Sequence, residues 1–201
     1  MKIVKPSFEI LTTIDKEVLY KQIERAARTC YKSEDLISEE SAVRMVRALV
    51  NSGHTAMLEH ASISVKFICD RGVTHEIVRH RVFSFSQEST RYVNYKGKPI
   101  KFVIPKGFDW AETQHSPKFL TWRNACSRCS IDYTNMIEAG MKPQEARDVL
   151  NNSVKTEIIM TGNIFDWMSF FNLRCDKNTV HPEMYHVAVL IRKKFEEKFG
   201  F

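Results

Sequence analysis

Apolar and polar residues follow both helical and strand periods along this chain. Apolar side chains recur every three to four positions from Ile14 to Cys30, which predicts a helix. A second helix is predicted from Ser38 to Asn51, because Ser38 can cap its start and Gly53 can end it. The first quarter of the chain is therefore expected to be mainly helical.

The pattern changes to strict alternation over residues 62–68, which predicts a half-buried strand. Asp70 can cap a short helix that runs to about His80. Residues 93–104 are expected to form a hairpin with its turn at residues 96–98. A modest antiparallel sheet is therefore expected beside the helices.

The second half of the chain is predominantly helical in its pattern. The predicted elements are a helix from Ser116-Pro117 to Glu138 ended by Gly140, a short helix from Pro143 to Leu150, a strand or buried helical turn over residues 155–161, and helices over residues 164–173 and 182–199. In the last helix Leu190 and Ile191 are expected to face inward. Because neither a repeat nor a linker interrupts the pattern, we expect one α+β catalytic domain over residues 1–201.

Composition limits the class of protein. The chain has 201 residues, 43% of them hydrophobic and 27% charged, as in a compact globular protein. A net charge of +6 favours anionic partners, either nucleotides or nucleic acid. Apolar runs are far shorter than a membrane span, and the first residues do not resemble a signal peptide. Five scattered cysteines fit a reducing compartment, so we expect a cytoplasmic protein without a membrane partner.

The segment from Arg79 to Arg91 carries the strongest chemical signal. Its cations are all arginines, whose planar forks of donors match phosphate and carboxylate groups better than lysine does. Gln87, Glu88 and serines lie between them, a mixture that suits recognition of one small polar ligand. A non-catalytic basic nucleic-acid-binding protein is the alternative, although the arginines do not spread along an extended surface with stacking aromatics.

The glycines exclude two common nucleotide-binding loops. The chain has seven glycines, and no two lie within nine residues of each other. A dinucleotide fingerprint or a P-loop needs closely spaced glycines that let the backbone approach phosphates. Side chains must therefore bind any phosphate, and the arginine-rich segment is the obvious source.

Two patterns that resemble metal sites are incomplete, so no metal site is predicted. His75 and His80 lie five residues apart, about 140° around a helix, whereas a zinc protease helix needs histidines four apart. Cys126 and Cys129 have no second cysteine pair to complete a zinc site. Two small apolar residues in a helix are the simpler interpretation of this pair.

Three residues elsewhere are open to two interpretations. His54 follows a helix end and is either structural or part of a loop-borne site. Arg147 is either a surface side chain or a ligand contact. Arg174 ends a strongly apolar helix, where it either complements the helix dipole or acts as a cation in a pocket of low dielectric.

Together these residues resemble the flavin-dependent thymidylate synthases. The family signature is matched in full by Arg79-His80-Arg81, Ser84, Ser89 and Arg91 at the required spacing. Further family-like positions occur in family order over residues 14–195, at Gly53-His54, Glu59-His60, Tyr92, Glu145-Ala146-Arg147 and Asn172-Leu173-Arg174.

The resemblance implies an α+β enzyme that converts dUMP to dTMP. The implied carbon donor is 5,10-methylenetetrahydrofolate, and NADPH reduces a bound FAD that supplies hydride. The family works as a homotetramer with active sites at subunit interfaces. Arg174 would be catalytic, because a fixed cation stabilises the anion formed when uracil loses its N3 proton. Ser89 would bind rather than attack, since a serine without a base is a weak nucleophile.

The resemblance also implies two sets of binding residues. The residues implied for dUMP are Glu76, Ile77, Val78, Arg79, Gln87, Glu88, Ser89, Thr90, Arg91, Arg147 and Arg174, with Glu76 to Arg79 coming from a neighbouring subunit. The residues implied for FAD are His54, Ala56, Arg79, His80, Arg81, Gln87, Asn163, Ile164, Phe165 and Ser169. Some positions depart from the family: Glu76 replaces Gln, Gln87-Glu88 reverses the usual order, and Ala56, Phe165 and Ser169 replace Thr, Arg and Asn of some members.

Overall fold

The computed structural model describes residues 1–13, 15–108 and 115–201, and Ile14, the predicted start of the first helix, lies outside them. The fold is helix-rich with a small antiparallel sheet, which confirms the predicted α+β class. The described elements are β1 (Lys2–Val4), β2 (Ser7–Ile10), α1 (Lys16–Thr29), α2 (Ser41–Asn51), β3 (Ser62–Asp70), α3 (Arg71–Ile77), β4 (Ser84–Gln87), β5 (Lys101–Val103), α4 (Pro117–Glu138), α5 (Pro143–Ala146), β6 (Lys155–Asn163), α6 (Ile164–Arg174) and α7 (Pro182–Phe199). Short 3-10 segments cover Glu34–Leu36, Thr55–His60 and Arg147–Val149.

The strands form a four-stranded sheet in the order β2-β3-β6-β4 and a separate pair, β1-β5. The strand predicted from alternation is confirmed as β3, in which Ile63, Val65 and Phe67 are fully buried. Residues 155–161, left open between strand and helix, belong to strand β6. Alternation thus identified β3 correctly, and the structure decides between the two interpretations of residues 155–161.

The hairpin predicted over residues 93–104 is wrong. Only its turn forms, where Lys98 donates its backbone N–H to the carbonyl of Tyr95 at 2.9 Å. Strand β5 instead pairs with β1 in parallel, with Lys2 opposite Lys101. The N-terminal residues occupy this pairing edge of β5, and a local pattern cannot reveal such a distant partner.

Local capping chemistry explains most helix ends. Ser116 accepts a hydrogen bond from the Phe119 N–H at the start of α4, and Gly140, with φ of +92°, follows its end. Helix α2 begins three residues later than predicted, because Ser38 donates its N–H to the Ser41 hydroxyl. In α7 Ile191 is fully buried but Leu190 is 41% exposed, so the inward prediction for Leu190 is wrong. Leu190 lies at the edge of a stripe formed by residues four apart.

Contacts divide the described chain into two compact units. The first comprises residues 1–8, 66–79 and 85–159. Its core lies between α4, α5 and the strand β5, and it contains Ile100, Phe102, Cys126, Tyr133, Ile137, Ala146 and Val154. This unit carries the segment from Gln87 to Arg91 and also Arg147.

The second unit comprises residues 9–65, 80–84 and 160–201. Helix α1 packs on α2, and α6 packs on α7 and on the 3-10 segment Thr55–His60. The indole of Trp167 in α6 is buried and donates to the carbonyl of Ile63 at 3.0 Å. This unit therefore places His80 on a closely packed aromatic core, with Arg174 at the end of α6. The single domain over residues 1–201 stays a prediction.

None of the helices in the described ranges is long and apolar enough to cross a membrane.

Candidate functional site

The two predicted ligand sets fall largely into different units. Most of the dUMP set lies in the first unit: Glu76, Ile77, Val78, Arg79, Gln87, Glu88, Ser89, Thr90, Arg91 and Arg147. Most of the FAD set lies in the second, together with Arg174: His54, Ala56, His80, Arg81, Asn163, Ile164, Phe165 and Ser169. Ile77 and Ile164 are fully buried in the core, so neither presents any surface to a ligand. The residue assignments themselves stay predictions.

Arg91 and Arg147 line the same surface cavity in the first unit. The cavity has a volume of about 550 Å³ and is also lined by Met136, Met141, Gln144, Glu145 and Asp148. Arg91 donates from Nε to the amide oxygen of Gln144 at 3.3 Å, and its guanidinium lies 5.3 Å from the ring centre of Tyr92. A nucleotide-sized cavity with two guanidinium groups is suited to an organic phosphate.

The turn that follows β4 holds Arg91 in place. The Ser89 carbonyl accepts hydrogen bonds from the N–H groups of Tyr92 and Val93, and the Ser89 hydroxyl accepts one from the Arg91 N–H at 3.3 Å. The hydroxyl of Ser89 is therefore engaged with the backbone of its own turn, which supports a binding rather than a nucleophilic role.

Gln87 and Glu88 both make internal contacts. The amide nitrogen of Gln87 donates to the Thr74 hydroxyl at 3.0 Å. Glu88 accepts from the Tyr95 hydroxyl at 2.9 Å and pairs with Lys155 at 3.0 Å. Burial would lower the pKa of Lys155, but hydrogen bonds to Glu157 and Glu88 outweigh it and raise this pKa. Glu88 is thus a structural anchor for the segment that carries Ser89 and Arg91.

His80 and Arg174 are in direct contact in the second unit. The Nε of Arg174, the last residue of α6, donates to Nε2 of His80 at 2.8 Å. The edge of the imidazole packs on Phe170, with 4.9 Å between ring centres. Burial, together with the nearby charge of Arg174, lowers the pKa of His80 from 6.5 to about 4. The histidine is therefore neutral at physiological pH.

Phe83 fixes the loop that carries His80. Its ring packs edge-on against Trp167, with 5.0 Å between ring centres, and it is nearly fully buried. The same ring lies so close to the backbone of Gly162 that a Cβ on Gly162 would be 2.4 Å from it. Because only glycine leaves this space, Phe83 anchors residues 80–84 on the aromatic core.

A proton titration can test the neutral state of His80. We expect its NMR titration midpoint near pH 4 rather than 6.5. Since the folded chain then binds fewer protons than the unfolded chain between these values, the contribution of His80 to stability is complete above pH 6.5 and is lost as pH falls towards 4. The signal is assigned by its disappearance in His80→Gln, and a midpoint near 6.5 would contradict the neutral assignment.

Residues predicted to bind FAD lie at a second cavity and at the start of helix α6. His54, Thr55 and Ala56 help to line a cavity of about 680 Å³ between α1, α2 and the following 3-10 segment. Asn163 caps α6 by accepting from the Asp166 N–H at 2.8 Å. Arg81 is exposed on the loop anchored by Phe83 and can reach an anionic ligand. The cavity is lined mainly by apolar side chains and has room for an aromatic ring system.

The histidines and cysteines that resembled metal ligands have other surroundings. In residues 1–13, 15–108 and 115–201 we find no group of three or more His, Cys, Asp or Glu side chains that could hold a metal ion. Cys126 is fully buried in the core of the first unit, and Cys129 packs against that core. The interpretation of this pair as small apolar helix residues is confirmed.

Several residues that shape these sites were not identified from the sequence. Gln144 contacts Arg91, Tyr95 contacts Glu88, and Phe83 supports His80. Phe83 lies within the signature segment, and its apolar character in a polar stretch could have indicated an anchor. Gln144 carries no comparable signal, because its partner Arg91 lies 53 positions away in the sequence. Tyr95 lies only seven positions from Glu88, and no motif in the sequence links these two residues.

Comparisons with known proteins identify the family of this chain. The model of the family described as "Thymidylate synthase complementing protein" matches residues 14–199. A flavin-dependent thymidylate synthase from Geobacter sulfurreducens is 32% identical over 157 residues, covering 75% of this chain and 66% of the relative. One from Mycobacterium tuberculosis is 31% identical over 170 residues, covering 78% and 67%. The chain thus spans about two thirds of the length of these relatives.

The fold is also similar to a solved structure. A UMP/dUMP methylase PolB from Streptomyces cacaoi, crystallised with 5-Br dUMP, matches with a TM-score of 0.78 at 20% identity, covering 98% of this chain and 93% of that one. At this identity the likeness establishes the fold alone. The family model and the curated relatives go further, and they show that the chain belongs to the flavin-dependent thymidylate synthase (thymidylate synthase complementing protein) family.

Proposed function

We propose that this chain is an FAD-dependent thymidylate synthase that methylates dUMP reductively to dTMP. The observation that carries the proposal is the pairing of Arg91 and Arg147 on one nucleotide-sized cavity, within a chain that carries the whole family signature. The proposed co-substrates are 5,10-methylenetetrahydrofolate, which donates the carbon, and NADPH, which reduces the flavin.

The protein side chains bind and polarise dUMP. Arg91 and Arg147 hold the phosphate through charge-assisted hydrogen bonds, and the turn at Ser89 fixes Arg91. Arg174 stabilises the negative charge that develops on the uracil ring when its N3 proton is lost, which makes carbon 5 a better nucleophile. The bound flavin, when reduced, supplies the hydride that completes the methyl group.

The flavin is assigned to the surroundings of His54, Ala56, Arg81 and Asn163. The 680 Å³ cavity beside His54 has room for a ring system. Arg81, an exposed arginine of the same unit, would supply a charge for the diphosphate. This arrangement supports FAD binding by side chains in a protein whose glycines cannot form a phosphate loop.

We also propose a cytoplasmic homotetramer. Several large apolar side chains are strongly exposed, among them Tyr31 at 83%, Tyr92 at 75% and Val82 at 70%. Val82 and Tyr92 flank the signature serines, so burying them against another subunit would place that subunit beside the ligand-binding segment. Sedimentation of the purified protein tests this state directly.

Absorption spectroscopy is the first test of the proposed function. Purified protein with FAD should show a bound-flavin spectrum that bleaches when NADPH is added anaerobically in the presence of dUMP. Formation of dTMP after addition of methylenetetrahydrofolate completes the test. A protein that binds no flavin, and instead binds nucleic acid with an affinity that falls steeply with salt, would favour the alternative basic binding protein.

Arg147→Ala should weaken dUMP binding about 10- to 100-fold, because a charge-assisted hydrogen bond contributes roughly 1.5–3 kcal/mol. Calorimetric titration of the flavin-loaded protein with dUMP measures the change. Arg128→Ala is the matched control, since Arg128 is an exposed arginine of the same unit that pairs with Asp132. Equal dUMP affinities of Arg147→Ala and the control would show that Arg147 does not bind the phosphate.

A further inference from the structure

Arg174 needs a support if it is to act as a fixed cation. It is the last residue of α6, a position where a long side chain has many rotamers. Electrostatic stabilisation of developing charge is strong only when the donor is already oriented before the reaction. The question is therefore what holds the guanidinium in one direction.

The contact with His80 supplies that orientation. The donor is Nε of Arg174, and the acceptor is Nε2 of His80 at 2.8 Å. Because the guanidinium is planar, fixing the direction of its Nε–H also fixes the plane that contains its two terminal nitrogens. A single hydrogen bond at this atom can therefore direct the entire charged group.

The hydrogen bond also determines the protonation of His80. Arginine can only donate, so Nε2 of His80 must accept and cannot carry a proton. The imidazole proton then resides on Nδ1, and the ring is neutral. A doubly protonated ring would offer Arg174 no acceptor and would place two cations side by side.

His80 is itself held by packing. The ring lies edge-on to Phe170, 4.9 Å between centres, and to Phe83, 6.3 Å between centres. The carbonyl of His80 accepts the N–H of Phe83 at 3.1 Å, and the Phe83 ring is seated against Gly162. Two sides of the imidazole are thus fixed by the aromatic core of the second unit.

We propose that His80, beyond any flavin contact, is a positioning residue that accepts the Nε–H of Arg174 and fixes the direction of its guanidinium. The inference rests on the proposed function for its effect on turnover, since it assigns Arg174 to uracil activation. The contact itself does not depend on that function. His80 of the signature and Arg174 then act together, although they lie 94 positions apart in the sequence.

A double-mutant cycle tests the coupling in the flavin-loaded protein at saturating dUMP. We expect His80→Ala to lower turnover about 10- to 100-fold in the wild-type background, as expected for a misplaced catalytic group. In the Arg174→Ala background the same change should alter the residual turnover less than about twofold. Equal losses in both backgrounds would overturn the proposal.

His80→Gln provides the rescue. Its amide oxygen can accept a hydrogen bond near the position of Nε2, so turnover should stay within about fivefold of wild type. His75→Ala is the matched control, because His75 is an exposed histidine on α3. If His80→Gln, with flavin still bound, lost as much turnover as His80→Ala, the hydrogen-bond acceptor at this position would not be the cause of the effect.

A spectroscopic readout separates this inference from the proposed function. The ¹H–¹⁵N signal of the Arg174 Nε–H, assigned by its absence in Arg174→Ala, should be protected from solvent exchange in wild type and in His80→Gln but not in His80→Ala. An unchanged signal in His80→Ala would overturn the positioning role even if the enzyme makes dTMP. A protected signal in a protein without dUMP turnover would retain the contact and reject the proposed function.

Discussion

Arg174→Ala should lower turnover about 100- to 1,000-fold while the protein keeps its flavin. Loss of one preorganised donor to a developing anion has an effect of this size in other enzymes. The flavin should remain because Arg174 donates to His80 rather than forming part of the predicted flavin set. Turnover at saturating dUMP and the flavin absorbance of the purified variant measure the two effects.

Two further variants sharpen this prediction. Arg174→Lys keeps the charge but lacks the planar fork and the Nε donor, so it should restore only a small part of the activity. Arg44→Ala, which removes an exposed arginine of α2, should behave as wild type. Wild-type turnover in Arg174→Ala would exclude Arg174 from the reaction, and loss of flavin would instead assign it to cofactor binding.

Local chemistry in the sequence predicted the elements that carry the site. The Asp70 cap of α3, the Ser116 cap of α4 and the Pro143 start of α5 are all confirmed, because each depends on residues within one helical turn. The alternating pattern of β3 was equally decisive, since every second side chain is buried. Among these elements, α3 ends two positions before the signature segment begins at Arg79.

Long-range pairing could not be predicted in the same way. Strand β5 pairs with β1, whose three residues carry no pattern of their own. Arg174 and His80 were each assigned a role, but nothing in either local sequence indicates that one donates to the other. The pairing arises because α6 and the loop after α3 meet in the second unit, which is a property of the tertiary fold.

Gly162 illustrates the same limit. In the sequence it is an isolated glycine in a strand pattern, a position that indicates close approach of another group without naming it. In the structure the group is the Phe83 ring, which anchors the loop of His80 and Arg81. A residue outside both predicted ligand sets therefore supports the signature segment.

Gly162→Ala should destabilise the fold by about 2–3 kcal/mol and weaken flavin binding. The new methyl group would lie 2.4 Å from two ring carbons of Phe83, and the ring cannot move aside easily because it packs against Trp167 and Phe170. Displacement of Phe83 would shift the backbone that carries His80 and Arg81. Chemical denaturation and flavin titration measure the two effects.

The loss of stability in Gly162→Ala should depend on the Phe83 ring. In a Phe83→Ala background the added methyl has room, so Gly162→Ala should then cost less than about 0.5 kcal/mol, the usual limit for uncoupled sites. Gly107→Ala is the matched control, because a Cβ there would meet no atom of the described residues within 4 Å. If Gly162→Ala lowered the free energy of unfolding by about 2–3 kcal/mol in the Phe83→Ala background as well, the Phe83 ring would not be the source of the strain. Phe83 would then not be the anchor of the His80 loop.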